Sequence, residues 1–217
     1  MRRWPSSTTR SLHLERVTDE DGEGRFVVML TVETLETAGT GFASVLAQVT
    51  DDQWSAPTGN EGRTVRQLVD HVVDGNRMAS VILGGGTREE GLAVFGGAAG
   101  EADIVAAFAV TNQDVLTAFA QPGALERVVA HPAIDMLGAQ LLGFRTGEYG
   151  LHGWDLARAI GADDAIDQSV LESLWAMLVA MAPMLVASGM FGTGSSGTVP
   201  DDAPLQLRVL DISGRRP

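Results

Sequence analysis

The chain has 217 residues and a mass of 22.8 kDa, which fits one domain with some additional chain, and its 45% hydrophobic content supplies a sizeable core. Fifteen basic against 28 acidic residues leave a net charge of -13, so phosphate backbones and acidic lipid are repelled and neither nucleic acid nor a membrane is an expected partner. Every basic residue is Arg and there is no Cys, which removes Schiff-base and phosphate-loop lysine chemistry, thiol nucleophiles, cysteinyl metal sites and any disulfide.

The first 28 residues are polar, mixed in charge and without the apolar run of about 7 to 15 residues that a signal peptide needs. They read as a disordered extension ahead of Met29; Arg2 and Arg3 make no export signal, His13 has no role, and a cytoplasmic protein is expected. From Met29 to Thr50, Leu30, Leu35, Phe42, Val45, Leu46 and Val49 recur at helical spacing, although Gly39 and Gly41 weaken the middle. Trp54 and Pro57 mark a loop. A second helix begins at Thr64, where Thr-Val-Arg-Gln has capping-box spacing and Val65, Leu68, Val69 and Val72 form one face; it ends in Gly84 to Gly86.

The third helix spans Glu101 to Ala120, with Ile104, Phe108, Val115 and Phe119 in register and Pro122-Gly123 as its stop. An extended piece around Val128 and Val129 precedes a fourth helix from Ile134 to Ile160 that ends on Gly161. A fifth, Ser169 to Ser188, opens with a box of its own in Ser169 and Glu172. Ser173 to Gly192 holds no charge, and about 20 such residues could cross a bilayer. The Ser, Gly and Pro183 within the stretch, and the absence of Arg just beyond it, read instead as a buried bundle helix. Nothing reads as a series of regular strands. The chain divides into an extension over 1–28, an all-α helical bundle over 29–190, and a Gly/Ser linker with a short tail over 191–217.

Several motifs fail on context. Gly192-Thr-Gly194-Ser-Ser-Gly197 matches the dinucleotide fingerprint, yet a helix precedes it and Thr198-Val-Pro-Asp-Asp-Ala-Pro follows, the reverse of the strand-turn-helix that grips a pyrophosphate. There is no GxSxG elbow and no HExxH pair. Asp51-Asp52 and Asp163-Asp164 lie near helix ends, where solvation and capping explain them.

One constellation survives. On the fourth helix Arg145, Glu148, His152 and Asp155 fall within an arc of roughly 80° at the helical repeat of about 100° per residue. Leu141 and Ala159 bracket the stripe, and Leu142, Phe144, Tyr149, Leu151, Trp154 and Leu156 leave little room for a fully exposed face. The stripe is therefore expected to point into the bundle or its mouth, where buried charge needs a partner. Glu148 and His152 lie one turn apart, so a carboxylate and an imidazole can share a cation. His71, at the edge of the second helix's apolar stripe beside Gly75 and Met78, supplies a second imidazole, though taken alone it would read as a core histidine. Two His and one carboxylate make an N/O site for a divalent first-row metal with open positions. His131, followed by Pro132, reads as an ordinary surface residue rather than a fourth ligand. Asp155 could take the outer ring proton of His152 or pair with Arg158; Arg145 could orient Glu148 or bind an anionic group of a substrate.

Trp54, Pro57-Thr58, Thr64-Val65-Arg66 with Leu68 and His71-Val72-Val73, then Glu148 with His152-Gly-Trp-Asp-Leu-Ala-Arg-Ala159 resemble the N-terminal domain of mycothiol-dependent maleylpyruvate isomerase and its stand-alone actinobacterial relatives. These belong to the DinB-like metal-binding helical bundles. The resemblance runs from Met29 to the closing Gly214-Arg-Arg-Pro. It implies a four-helix core with a crossover connection and a metal, usually zinc, held at His71, Glu148 and His152. The isomerase carries a further C-terminal domain that this chain is expected to lack, so maleylpyruvate is not inherited as substrate. Relatives often place an aromatic residue before the Thr-Val pair, where this chain has Arg63.

The resulting expectation is a metalloprotein that activates a low-molecular-weight thiol, by resemblance mycothiol, for isomerisation of or transfer to a small electrophile. Full ionisation of the sulfur would replace a free-thiol pKa of about 8.5. The competing class is a non-catalytic metal or small-molecule binding module. A homodimer is left open.

Overall fold

Thr31, Thr64, Thr87 and Asp103 each stand one residue ahead of a helix and accept a backbone N–H of its first turn, the N-cap device that satisfies otherwise orphaned donors. They open α1 (Val32–Leu46), α2 (Val65–Leu83), α3 (Arg88–Ala93) and α4 (Ile104–Phe119). In this computed structural model, which describes residues 14–18, 24–28, 30–59, 62–188 and 194–216, there follow α5 (Gly138–Ile160), α6 (Gln168–Ser188) and α7 (Leu205–Ile212).

The fold is all-α and DinB-like, with four core helices in the order α1, α5, α2, α4 around a ring. Residues rise together along α1 and α5, with Gly39 beside Tyr149 and Gly153 beside Phe42, so these two helices run parallel. Successive helices α1 and α2 are thus not ring neighbours, and the chain crosses over the bundle between them. Leu35, Phe42, Leu68, Val72, Phe108, Leu142 and Tyr149 fill the centre. The glycine expected to weaken α1, Gly39, is a close approach: an added Cβ would lie 2.8 Å from Asn112 Oδ1 on α4 and 3.1 Å from Tyr149 on α5. α6 seats Val170 and Leu174 against Gly147 and Gly150 of α5, and no helix among the described residues is long and apolar enough to cross a membrane.

Several boundaries differ from the sequence reading. In the segment expected to be an irregular extension, β1 (Leu14–Thr18) pairs antiparallel with β2 (Gly24–Val28), five-residue strands rich in β-branched side chains; residues 1–13, with His13, and Met29 lie outside the described residues. Helix α3 was hidden by its shortness, although Thr87 and Glu90 form the capping box that marks it. β3 (Val128–Val129) pairs with β4 (Met136–Leu137), which takes the start of the expected fourth helix, so α5 begins at Gly138. At α6 the cap is Asp167, whose side chain accepts from the Ser169 N–H at 2.8 Å, while Glu172 accepts from Gln168; the expected Ser169–Glu172 box is displaced by this stronger acceptor. Within the expected linker and tail, α7 packs on α6 and buries Val209 and Leu210, and Asp211 holds Ser195 and Ser196, while Gly192 and Thr193 lie outside the described residues.

Candidate metal centre

α2 and α5 run antiparallel, which sets His71 opposite Glu148 and His152 and Asn76 opposite Arg145. His71 Nε2 lies 3.0 Å from Glu148 Oε2, and His152 Nε2 lies 3.2 Å from the same oxygen. The two imidazoles meet edge to face with centroids 5.4 Å apart, and one donor atom from each of the three residues falls within 4.8 Å of the others. Donors that share a cation at about 2.0–2.2 Å stand roughly 3 Å apart, so this spacing suits one ion.

The hydrogen bonds behind these atoms decide what can lie between them. Asp155 Oδ2 is 3.0 Å from His152 Nδ1. An ionised carboxylate only accepts, so the proton belongs on Nδ1 and, in the neutral ring, Nε2 carries a lone pair. That lone pair faces Glu148 Oε2, a buried oxygen with no hydrogen bond of its own. Two acceptors at this distance repel unless a proton or a cation stands between them. Two imidazole nitrogens and one carboxylate oxygen are a donor set for a divalent first-row metal, and the residues present fit one.

The same geometry governs ionisation. Burial pushes the Glu148 carboxyl up, but the charge and contacts of His152 and His71 outweigh it and hold Glu148 well below the usual carboxylate range. Burial likewise depresses His152, and Glu148 and Asp155 together reverse the effect and raise it. Asp155 is pushed up by burial and brought below its ordinary value by His152 and Arg215. The His71 and Glu148 side chains remain 29% and 31% exposed against 9% for His152, so the cluster opens to solvent on the flank between α2 and α5.

Beneath the cluster lies a polar network that sequence reasoning missed. Arg145, 3% exposed, donates to the Val72 carbonyl at 3.1 Å and to Asn76 Oδ1 at 2.6 Å, and its guanidinium sits over the Tyr149 ring. Tyr149 Oη donates to the same Asn76 oxygen at 2.8 Å, and Asn76 Nδ2 donates to Thr111. Burial, the largest influence, pushes the Tyr149 hydroxyl up to about 12. Arg145 Nη1 is also 4.0 Å from Glu148 Oε2. Asn76, one helical turn and a residue beyond His71 on α2, was the available signal: an amide at helical spacing from Val72, Val73 and Ala79.

Of the residues singled out from sequence, His71, Glu148, His152 and Asp155 come together and Arg145 lies directly behind them. The alternative pairing of Asp155 with Arg158 does not form, because Arg158 turns to Asp164 at 3.4 Å and to the face of Trp154. His131 lies outside the cluster; it is half-buried, stacked on Phe144, and its loop is held by Arg88 through the carbonyls of His131 and Pro132. Arg215, from the segment after α7, reaches Asp155 with two donors.

The model of the mycothiol maleylpyruvate isomerase N-terminal domain family matches residues 35–157, from α1 to the Ala157 turn of α5. Uncharacterized protein MT0763 of Mycobacterium tuberculosis (strain CDC 1551 / Oshkosh) and uncharacterized protein Rv0738 of the same species (strain ATCC 25618 / H37Rv) are each 31% identical over 157 residues, 70% of this chain and 80% of theirs. No solved structure matches. With the family model spanning more than half of its length, the chain belongs to the mycothiol maleylpyruvate isomerase N-terminal domain family.

Proposed function

We propose that this chain holds a divalent metal, zinc by resemblance, at His71, Glu148 and His152, and uses it to activate a low-molecular-weight thiol of the mycothiol type for isomerisation of, or transfer to, a small electrophile. The observation that supports this reading is the buried Glu148 Oε2, which faces Nε2 of both histidines without a hydrogen bond. When bound, such a cation supplies the Lewis acidity that keeps a thiol ionised near neutrality. The three protein ligands carry one negative charge between them, so a divalent ion there keeps a net positive charge toward an incoming anion. Asp155 keeps the outer proton of His152 in place and leaves Nε2 as the donor. Half-exposed His71 and Glu148 provide the side from which a small molecule enters. Arg145, turned to Val72 and Asn76, holds α2 against α5 behind Glu148 rather than meeting a dissolved ligand. A chain without Cys takes its nucleophilic sulfur from the cofactor.

Elemental analysis of protein purified without a His tag, followed by thiol titration of a cobalt-substituted sample, tests the proposal. One divalent ion per chain and a thiol-dependent charge-transfer band are expected. An ion without any spectral response to thiol would point to a binding module, and no ion would remove the reading altogether.

A further inference from the structure

Asp155 is gripped from a part of the chain that contributes no ligand. Arg215 Nε donates to its Oδ1 at 2.9 Å and Nη2 to its Oδ2 at 2.6 Å, a two-pronged contact between planar groups that Lys cannot reproduce. Oδ2 is the oxygen that also takes the His152 Nδ1 proton. All three side chains are withdrawn from solvent, at 11% exposure for Arg215, 3% for Asp155 and 9% for His152, so these charge-assisted bonds act with little screening. The backbone that carries Arg215 is anchored separately. Its N–H bonds the Leu210 carbonyl at 2.9 Å, and Asp211 holds Ser196 N at 3.0 Å. The guanidinium is therefore delivered to Asp155 by a segment already fixed on α7.

We propose that Arg215 is a positioning residue for the metal centre: by clamping Asp155 from the segment after α7, it fixes the tautomer and tilt with which His152 presents Nε2 to a cation. The proposal rests on the metal-binding reading above. Without the clamp the Asp155 carboxylate loses both of its Arg215 donors and can tilt away from His152 Nδ1. Such a tilt loosens the bond that holds the Nδ1 proton and lets the imidazole ring turn or exchange tautomers.

The test uses the full chain carrying Arg215→Met, Arg215→Lys, Asp155→Asn, the double variant Asp155→Asn/Arg215→Met, and Arg216→Ala as a control that removes the neighbouring guanidinium. Zinc affinity is read by competition with a chromophoric chelator, and the His152 ring nitrogens are read by 15N NMR on metal-free protein at alkaline pH. Arg215→Met is expected to weaken zinc binding about 10- to 100-fold, the range for a partner behind a ligating His. Arg215→Lys should recover part of the loss, the double variant should bind no more weakly than Asp155→Asn alone, and Arg216→Ala should keep wild-type affinity. In the wild type Nδ1 carries the proton, and in Arg215→Met the two tautomers mix. Wild-type affinity and an unchanged Nδ1–H in Arg215→Met would overturn the proposal, as would an equal loss in Arg216→Ala. If the wild type binds no divalent ion, the metal reading fails by itself, while the tautomer spectrum still decides whether Arg215 orients His152. Should Arg215→Met not fold, Arg215→Lys carries both measurements.

Discussion

Gly75 and Arg145 are fitted to one another across the α2–α5 contact: a methyl group on Gly75 would stand 2.3 Å from Arg145 Nη1 and 3.0 Å from its Cζ. A guanidinium is ordinarily free to swing aside. Here it is bonded to the Val72 carbonyl and to Asn76, and it is buried, so it has nowhere to go.

Gly75→Ala is accordingly expected to destabilise the fold by about 1–3 kcal/mol, the usual cost of overpacking, even though Ala gains up to about 1 kcal/mol in helix propensity. Urea unfolding measures the balance. Arg145→Met takes one donor from Asn76 Oδ1 and the cation from the Tyr149 ring and destabilises on its own, but it also removes the obstruction, so the double variant should lose less than the sum of the two. A stabilised Gly75→Ala protein would show that Arg145 is not held as described.

Glu148→Ala and His71→Ala are each expected to abolish metal retention, read by elemental analysis after dialysis. In the wild type a chelator should lower the melting temperature, because free metal at 1,000 times its Kd stabilises by about 4 kcal/mol. The two variants should melt at the same temperature with and without chelator. A variant that still responds would exclude the missing residue as a ligand.

The apo and loaded proteins should respond to pH in opposite senses. His152 is raised above its ordinary 6.5, so in metal-free protein its protonated form contributes stability that is complete below 6.5 and is lost as pH rises through the raised value. Glu148 is lowered below 4.5, and its contribution is present above 4.5 and lost as pH falls through the lowered value. Metal binding requires an unprotonated Nε2, so it strengthens over the interval in which the apo protein loses the His152 contribution. The gap in melting temperature between loaded and chelated protein should widen as pH rises from about 6.5 through the raised His152 value. A constant or narrowing gap contradicts the shared use of Nε2 by proton and metal.

Removal of residues 1–28 should leave metal content and melting temperature unchanged, since every residue of the cluster and its supporting network described above comes from α2, α4, α5 or the segment after α7. A clear fall in either would mean that the β1–β2 hairpin stabilises the bundle.

What could be read from sequence follows physical range. Thr64 with Gln67 and the stripe of Val65, Leu68 and Val69 announce α2 because capping and amphipathicity act within a few residues. The juxtaposition of Glu148 and His152 is likewise local, fixed by one helical turn. Arg215 and Asp155 lie 60 positions apart, and Arg145 and Asn76 lie 69 apart, so only the packed bundle reveals them as partners. Asp155 looked toward Arg158 because sequence proximity was the available guide, while the fold offered it a bidentate Arg from elsewhere. At Gly39 a propensity argument was incomplete, because the missing side chain also makes room for Asn112 and Tyr149.

From Leu141 to Ala157 the residues of α5 are buried apart from half-covered Phe144 and Glu148, a helix enclosed nearly all round by α1, α2 and α6. Such a segment can exchange its amide protons with solvent only when the whole bundle opens, so its exchange rates report global stability. Glu148 and His152 are therefore presented by the slowest-exchanging part of the molecule, already in place for any ion the cluster takes up. Local ordering on loading would fall to half-exposed His71 on α2, and slowed exchange on that helix, with α5 changing only through global stability, is the signature that a preformed half-site leaves.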